Sequence, residues 1–146
     1  MSRPVAIICA LAAGALVGLQ PPANAALSRY LGDLGAAFIS LAISFTIIGV
    51  LFVVIGHPGR LRDLSAFRPE HAIGGIGGAV VVSVALIAVR PLGAGAVVAL
   101  LVAGQLIMSV VADRFAWFGL HQVGIGAGRT IGMLVVIAGT VLITRS

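Results

Sequence analysis

The chain has 146 residues, with nine arginines, no lysine and four acidic residues for a net charge of +5; 60% of it is hydrophobic and only 9% is charged. Mean hydropathy is +1.21, and an ordinary soluble domain carries about 25% charged residues. A water-soluble fold of this size leaves much of its surface exposed and has no place to hide so much apolar side chain, which excludes a soluble globular domain. The basic excess does not point to nucleic acid either, because there is no basic run and no interleaving of arginine with aromatic residues.

A hydrocarbon slab about 30 Å thick needs roughly 17–25 apolar helical residues to cross it. Five stretches approach or meet that length, which predicts an all-α polytopic membrane protein. It is read as a single domain over 1–146, a bundle of five transmembrane helices at about 4–28, 34–56, 72–90, 92–113 and 128–145.

The first stretch opens with Pro4, suited to a helix's first turn. Arg3, the apolar run to Leu19 and the small residues up to Ala25 also resemble a signal peptide. Apolar character resumes through Leu27, which favours an uncleaved helix. Ala10, Gly14 and Gly18 form a small-residue stripe, and Gln20 and Asn24 lie roughly opposite Gly18 at 100° per residue. Pro21 and Pro22 interrupt the hydrogen-bond ladder and predict a kink, a candidate hinge. They free the carbonyls of Val17 and Gly18 at membrane depth, which is tolerated where protein or a watered cavity satisfies them. Cys9 is the lone cysteine and supports neither an internal disulfide nor a metal site.

The second stretch carries Ser40 and Ser44, and a polar loop over 57–70 follows. The third begins with Gly74-Gly75-Ile76-Gly77-Gly78, which follows no strand and lacks the ending of a nucleotide-binding loop. It closes at Arg90-Pro91, predicting an antiparallel hairpin with the fourth stretch. That stretch has a small face (Gly95, Ala99, Ala103) and a polar one (Gln105, Ser109, Asp113). A connector with Phe115, Trp117, Phe118 and His121 leads to the fifth. Asp113 and Arg129 are expected to form an ion pair at one membrane face, structural or gating. Trp117 and Tyr30 fit interfacial anchors.

Helices in lipid associate through small residues and interhelical hydrogen bonds. Gly14/Gly18, Gly74/Gly78 and Gly128/Gly132 therefore read as packing contacts. Gln20, Asn24, Ser44, Gln105 and Ser109 have two readings: the lining of a polar transport path, or interhelical glue. A serine also has the option of bonding its own helix backbone. All four acidic residues and all three histidines lie at helix ends or in loops. No catalytic constellation and no metal-ligand spacing is present, and no cofactor is implied. A proton relay through the bilayer would need titratable groups along the way, so exchange through a central carboxylate is disfavoured.

With the N-terminus inside, the inner side collects Arg3, Arg60, Arg62, Arg68, Arg114 and Arg129, and the outer side Arg29, Arg90 and Arg145. The bias favours N-inside, C-outside.

Several segments, in order along nearly the whole chain, resemble the drug/metabolite transporter superfamily, in particular its short five-helix YdcZ-type branch. They are Gly18-Leu19-Gln20-Pro21-Pro22-Ala23-Asn24-Ala25, Leu31-Gly32, Ala37-Phe38-Ile39-Ser40, Gly74–Gly78, Pro91-Leu92-Gly93-Ala94, Ala103-Gly104-Gln105-Leu106, Asp113-Arg114-Phe115 and Arg129-Thr130-Ile131-Gly132. The resemblance implies a bacterial inner-membrane permease or exporter of a small organic solute. Larger members have ten helices in two inverted five-helix halves with the site between them. This chain would be one half, acting as a homodimer or with a paralogous half. It lacks the first-helix membrane glutamate of the small multidrug resistance relatives, and Gln20 is the nearest polar group there. The competing reading is a non-transporting membrane scaffold or accessory subunit.

Overall fold

Long runs of alanine, leucine, valine and isoleucine satisfy every backbone group internally only as helix, the form lipid demands of a lone segment. The computed structural model describes residues 2–59, 67–117 and 121–145, and these are helical with short connections. Arg60, Arg62 and Asp63 of the first loop, and Phe118 of the second, lie outside the described residues. Helix α1 spans Arg3–Ile55, α2 Ile73–Arg114 and α3 Ala127–Arg145, with a 3-10 turn at Pro69–Ala72 before α2. Among the described residues, three helices are long and apolar enough to cross a membrane.

Two of the three are not continuous rods. Inside α1 the backbone leaves helical geometry at Gly32 (φ 71°, ψ 170°), and inside α2 at Gly93 (φ 76°, ψ 158°). That corner of dihedral space is open essentially to glycine alone. The breaks share an Arg-x-Leu-Gly pattern, Arg29-Tyr30-Leu31-Gly32 and Arg90-Pro91-Leu92-Gly93. Pro21 and Pro22 lie within helical backbone. Each ring still removes a donor, so the carbonyls of Val17 and Gly18 lose their usual intrahelical partners.

The chain divides into two compact units, Met1–Ile87 and Ala88–Ser146. In the first, Ala36, Ala37 and Leu86 are buried together, with Leu27 and Val82 packed against them. Alanines there let helix backbones approach closely, which is how helices associate in lipid. The 3-10 turn is capped by its own side chain, as the backbone N–H of Arg68 donates to His71 Nδ1 at 3.2 Å.

In the second unit, residues 94–114 and α3 lie side by side along a seam with alternating three- and four-residue steps. On α2 the seam is Ala96, Ala99, Ala103, Leu106, Val110 and Asp113, all buried or half-buried. On α3, Met133, Val136 and Thr140 are likewise covered, and Arg129 heads the row. This is the knobs-into-holes period of antiparallel helices packed at a small angle. The Thr140 hydroxyl donates to Val136 O at 2.8 Å, and Ala99 O of the neighbouring helix lies 3.3 Å from it. The end of α2 is closed by Val123 N–H on Asp113 O and by Gln122 Nε2 on Arg114 O, both at 3.1 Å. These contacts satisfy carbonyls that a helix terminus leaves without partners.

Candidate functional site

In the first unit, one face of α1 turns inward at Pro21, Asn24 and Ser28, all buried. Ser28 returns its hydroxyl to Ala25 O at 2.9 Å. Asn24 differs. It is 8% exposed, and its carboxamide makes no hydrogen bond to any described residue. No polar side-chain atom among the described residues is both fully enclosed and unpartnered, so the Asn24 amide retains an opening. It lies eight residues before the Gly32 break, about 12 Å along the helix axis. Gln20, one turn earlier, is exposed, and so is Ser44, whose hydroxyl donates to Ser40 O at 3.0 Å.

In the second unit, Ser109, Asp113, Arg129 and Gly132 come together on one cavity of about 380 Å³, floored by Leu106, Val110, Met133 and Val136. Arg129 Nη1 donates to Asp113 Oδ2 at 3.1 Å, with both side chains partly open to solvent. Gln105 is exposed and does not line this cavity. Gly14, Gly74, Gly78, Gly128 and Gly132 are exposed and Gly18 is half-buried; a methyl added at any of them would meet no atom within 4 Å. These stripes therefore have no packing partner among the described residues of the chain. Among those residues, no group of three or more His, Cys, Asp or Glu side chains is placed to hold a metal ion.

Two features escaped the sequence reading. Thr140 lies within hydrogen-bond distance of the neighbouring helix at Ala99 O, and its signal was the middle one of three threonines in the fifth apolar stretch. Ala116 adopts a left-handed backbone (φ 51°) two residues past α2, where glycine would ordinarily be expected.

One family model, described as "Putative inner membrane exporter, YdcZ", matches residues 5–142 of this apolar helical chain. The chain belongs to the YdcZ family. It is thus an inner-membrane protein of a transporter family rather than of an enzyme family. No curated protein and no solved structure matches the chain.

Proposed function

We propose that this YdcZ-family protein exports a small organic solute as a dimer working by alternating access, with each chain contributing five spans. The observation that carries the reading is Asn24, a largely buried residue whose carboxamide keeps an opening and finds no partner among the described residues. An amide serving as glue between helices would be hydrogen-bonded to its neighbour. A solute or water passing the site satisfies it instead. The proline-freed carbonyls of Val17 and Gly18 add acceptors one to two turns away. Gln20, Ser44, Gln105 and Ser109 extend the polar lining once a second copy covers their exposed faces, and Pro21-Pro22 provides the hinge. Asp113 and Arg129 close the inner side.

The five-span reading rests on the breaks. An unbroken helix of 53 residues is about 80 Å long, far more than the membrane's apolar thickness. Division at Gly32 and Gly93 yields 3–31, 33–55, 73–92 and 94–114, each near the length of one crossing, with α3 as the fifth. An odd number of spans places the termini on opposite sides, N-inside by the arginine bias. Pairing is supported by the exposed glycine stripes, which suit close approach of another helix.

The test compares the medium of cells expressing the protein with that of cells carrying Gln20→Ala, Asn24→Leu or Gln105→Ala at equal membrane levels. Export predicts a solute that accumulates outside with the native chain and falls to background with the variants. Identical external profiles, together with loss of a co-purifying membrane protein in the variants, would replace transport with an accessory role.

A further inference from the structure

We infer that the cleft between residues 94–114 and α3 seats one membrane phospholipid with an ammonium-bearing zwitterionic head, its phosphate at Arg129, its ammonium at Asp113 and an acyl chain below them. This goes beyond the export reading, which gives Ser109 to the solute path and Asp113 and Arg129 to closure of the inner side, and it rests on the cleft's own geometry.

The first observation is the cleft's gradient. From the ion pair, α2 descends from Asp113 through Val110 to Leu106, and α3 from Arg129 through Met133 to Val136. Each path is seven residues, about 10 Å. Charge lies at one end, the Ser109 hydroxyl about midway, and only hydrocarbon at the other. A water-soluble solute has no use for that floor, and a purely apolar ligand has none for the mouth. A phospholipid has both ends in that order.

The second observation is the space itself. The helices are tied by the ion pair at 3.1 Å and, deeper, by Thr140 and Ala99 at 3.3 Å. Between the ties Gly132 presents no side chain, and a methyl there would touch nothing within 4 Å. The resulting volume of about 380 Å³ falls in the range of ligand pockets, roughly 300–1,000 Å³. It holds a chain segment rather than a whole lipid.

The third observation is the placement of charge. Asp113 is the penultimate residue of α2, and Arg129 is the third of α3. A carboxylate at a helix C-terminus and a guanidinium at an N-terminus each face the repelling end of a helix dipole. A pair retained only for stability would be placed the other way round. For an incoming zwitterion the arrangement is cooperative: α2's negative end and Asp113 both attract the ammonium, while α3's positive end and Arg129 both attract the phosphate. The ion pair need not open. It engages Nη1 and Oδ2, and a guanidinium has five donors while a carboxylate has a second oxygen.

Native mass spectrometry of the detergent-purified protein, loaded with phosphatidylethanolamine, phosphatidylcholine or phosphatidylglycerol, tests the assignment. Phosphatidylethanolamine is expected to be retained over phosphatidylcholine, whose methylated ammonium donates no hydrogen bond. Asp113→Asn should weaken its retention about tenfold, the equivalent of one charge-assisted hydrogen bond, and shift preference toward the anionic lipid. Gly132→Leu should expel all three lipids by filling the cleft, with helix content and melting as the check on folding. Equal retention of the three lipids, or unchanged selectivity in Asp113→Asn, would overturn the assignment. So would displacement by soluble phosphoethanolamine as effective as by the intact lipid, which would make the cleft a polar-solute site.

Discussion

Replacing Gly32 by alanine tests whether the long helices are built as hairpins. At φ 71° and ψ 170°, an L-residue sits in a region that costs on the order of 1–3 kcal/mol. A Cβ at Gly32 would meet no atom within 4 Å, so the whole effect comes from the backbone and none from a clash. Gly93→Ala should behave alike, since its dihedrals are nearly the same and its surroundings as open. Gly14 is the matched control. It is exposed in regular helix with nothing near its Cβ, and alanine there should be neutral or stabilise by up to about 1 kcal/mol. Unfolding in mixed micelles by titration with sodium dodecyl sulfate reads all three. The expected order is Gly14→Ala at or above the native chain, with both break variants about 1–3 kcal/mol below it. The accessibility of a cysteine at Tyr30 reports whether the break stays at the membrane surface. A Gly32→Ala protein as stable as Gly14→Ala, with the same surface exposure, would refute the argument, because the backbone would then not need glycine at the turn.

Three further outcomes follow from local geometry. Thr140→Val keeps the side chain's shape and removes the hydroxyl shared by Val136 and Ala99. It should cost roughly 0.6–2 kcal/mol, read by the same titration, whereas Thr140→Ser should be near native. Ala116→Gly relieves a left-handed alanine and should stabilise by about 1 kcal/mol, seen as a higher melting temperature in detergent. Asn24→Leu separates the two roles of the buried amide: glue predicts a loss of about 0.6–2 kcal/mol, while an unpartnered amide predicts unchanged or increased stability alongside lost export.

Much of the architecture was readable because lipid imposes a simple rule, that apolar runs become helices, and charge falls where they end. The all-helical class and the loop positions follow from that rule. Interruptions near 29–33 and at Arg90-Pro91 are expected from the sequence, and what it leaves out is that one glycine makes each break. At Gly32 and Gly93 a single glycine in each Arg-x-Leu-Gly segment takes the backbone out of helical geometry with hardly an interruption of the apolar run. Glycine is also the commonest packing residue in such helices, and nothing local distinguishes a turn glycine from a stripe glycine. The repeated Arg-x-Leu-Gly pattern was the available signal, and it becomes visible only when both copies are set side by side.

The seam of the second unit illustrates the limit at the site. Reading residues 94–114 in steps of four gives Gly95, Ala99 and Ala103 as the packing stripe; the buried row instead runs Ala96, Ala99, Ala103, Leu106, Val110 and Asp113. A four-residue step drifts around the helix, while alternating three and four keeps one face toward a neighbour. In a segment where alanine, glycine and valine occupy 12 of 21 positions, both rows open on small residues. The choice is made by the neighbouring helix, and that helix is also what brings Arg129 to Asp113. The same cause separates Gln20 from Asn24. Four residues apart, they differ by only about 40° around the axis, yet one amide is exposed and the other buried. Which of two neighbouring amides is covered is therefore decided by where the next helix lies, a property of the packed bundle that no single segment encodes.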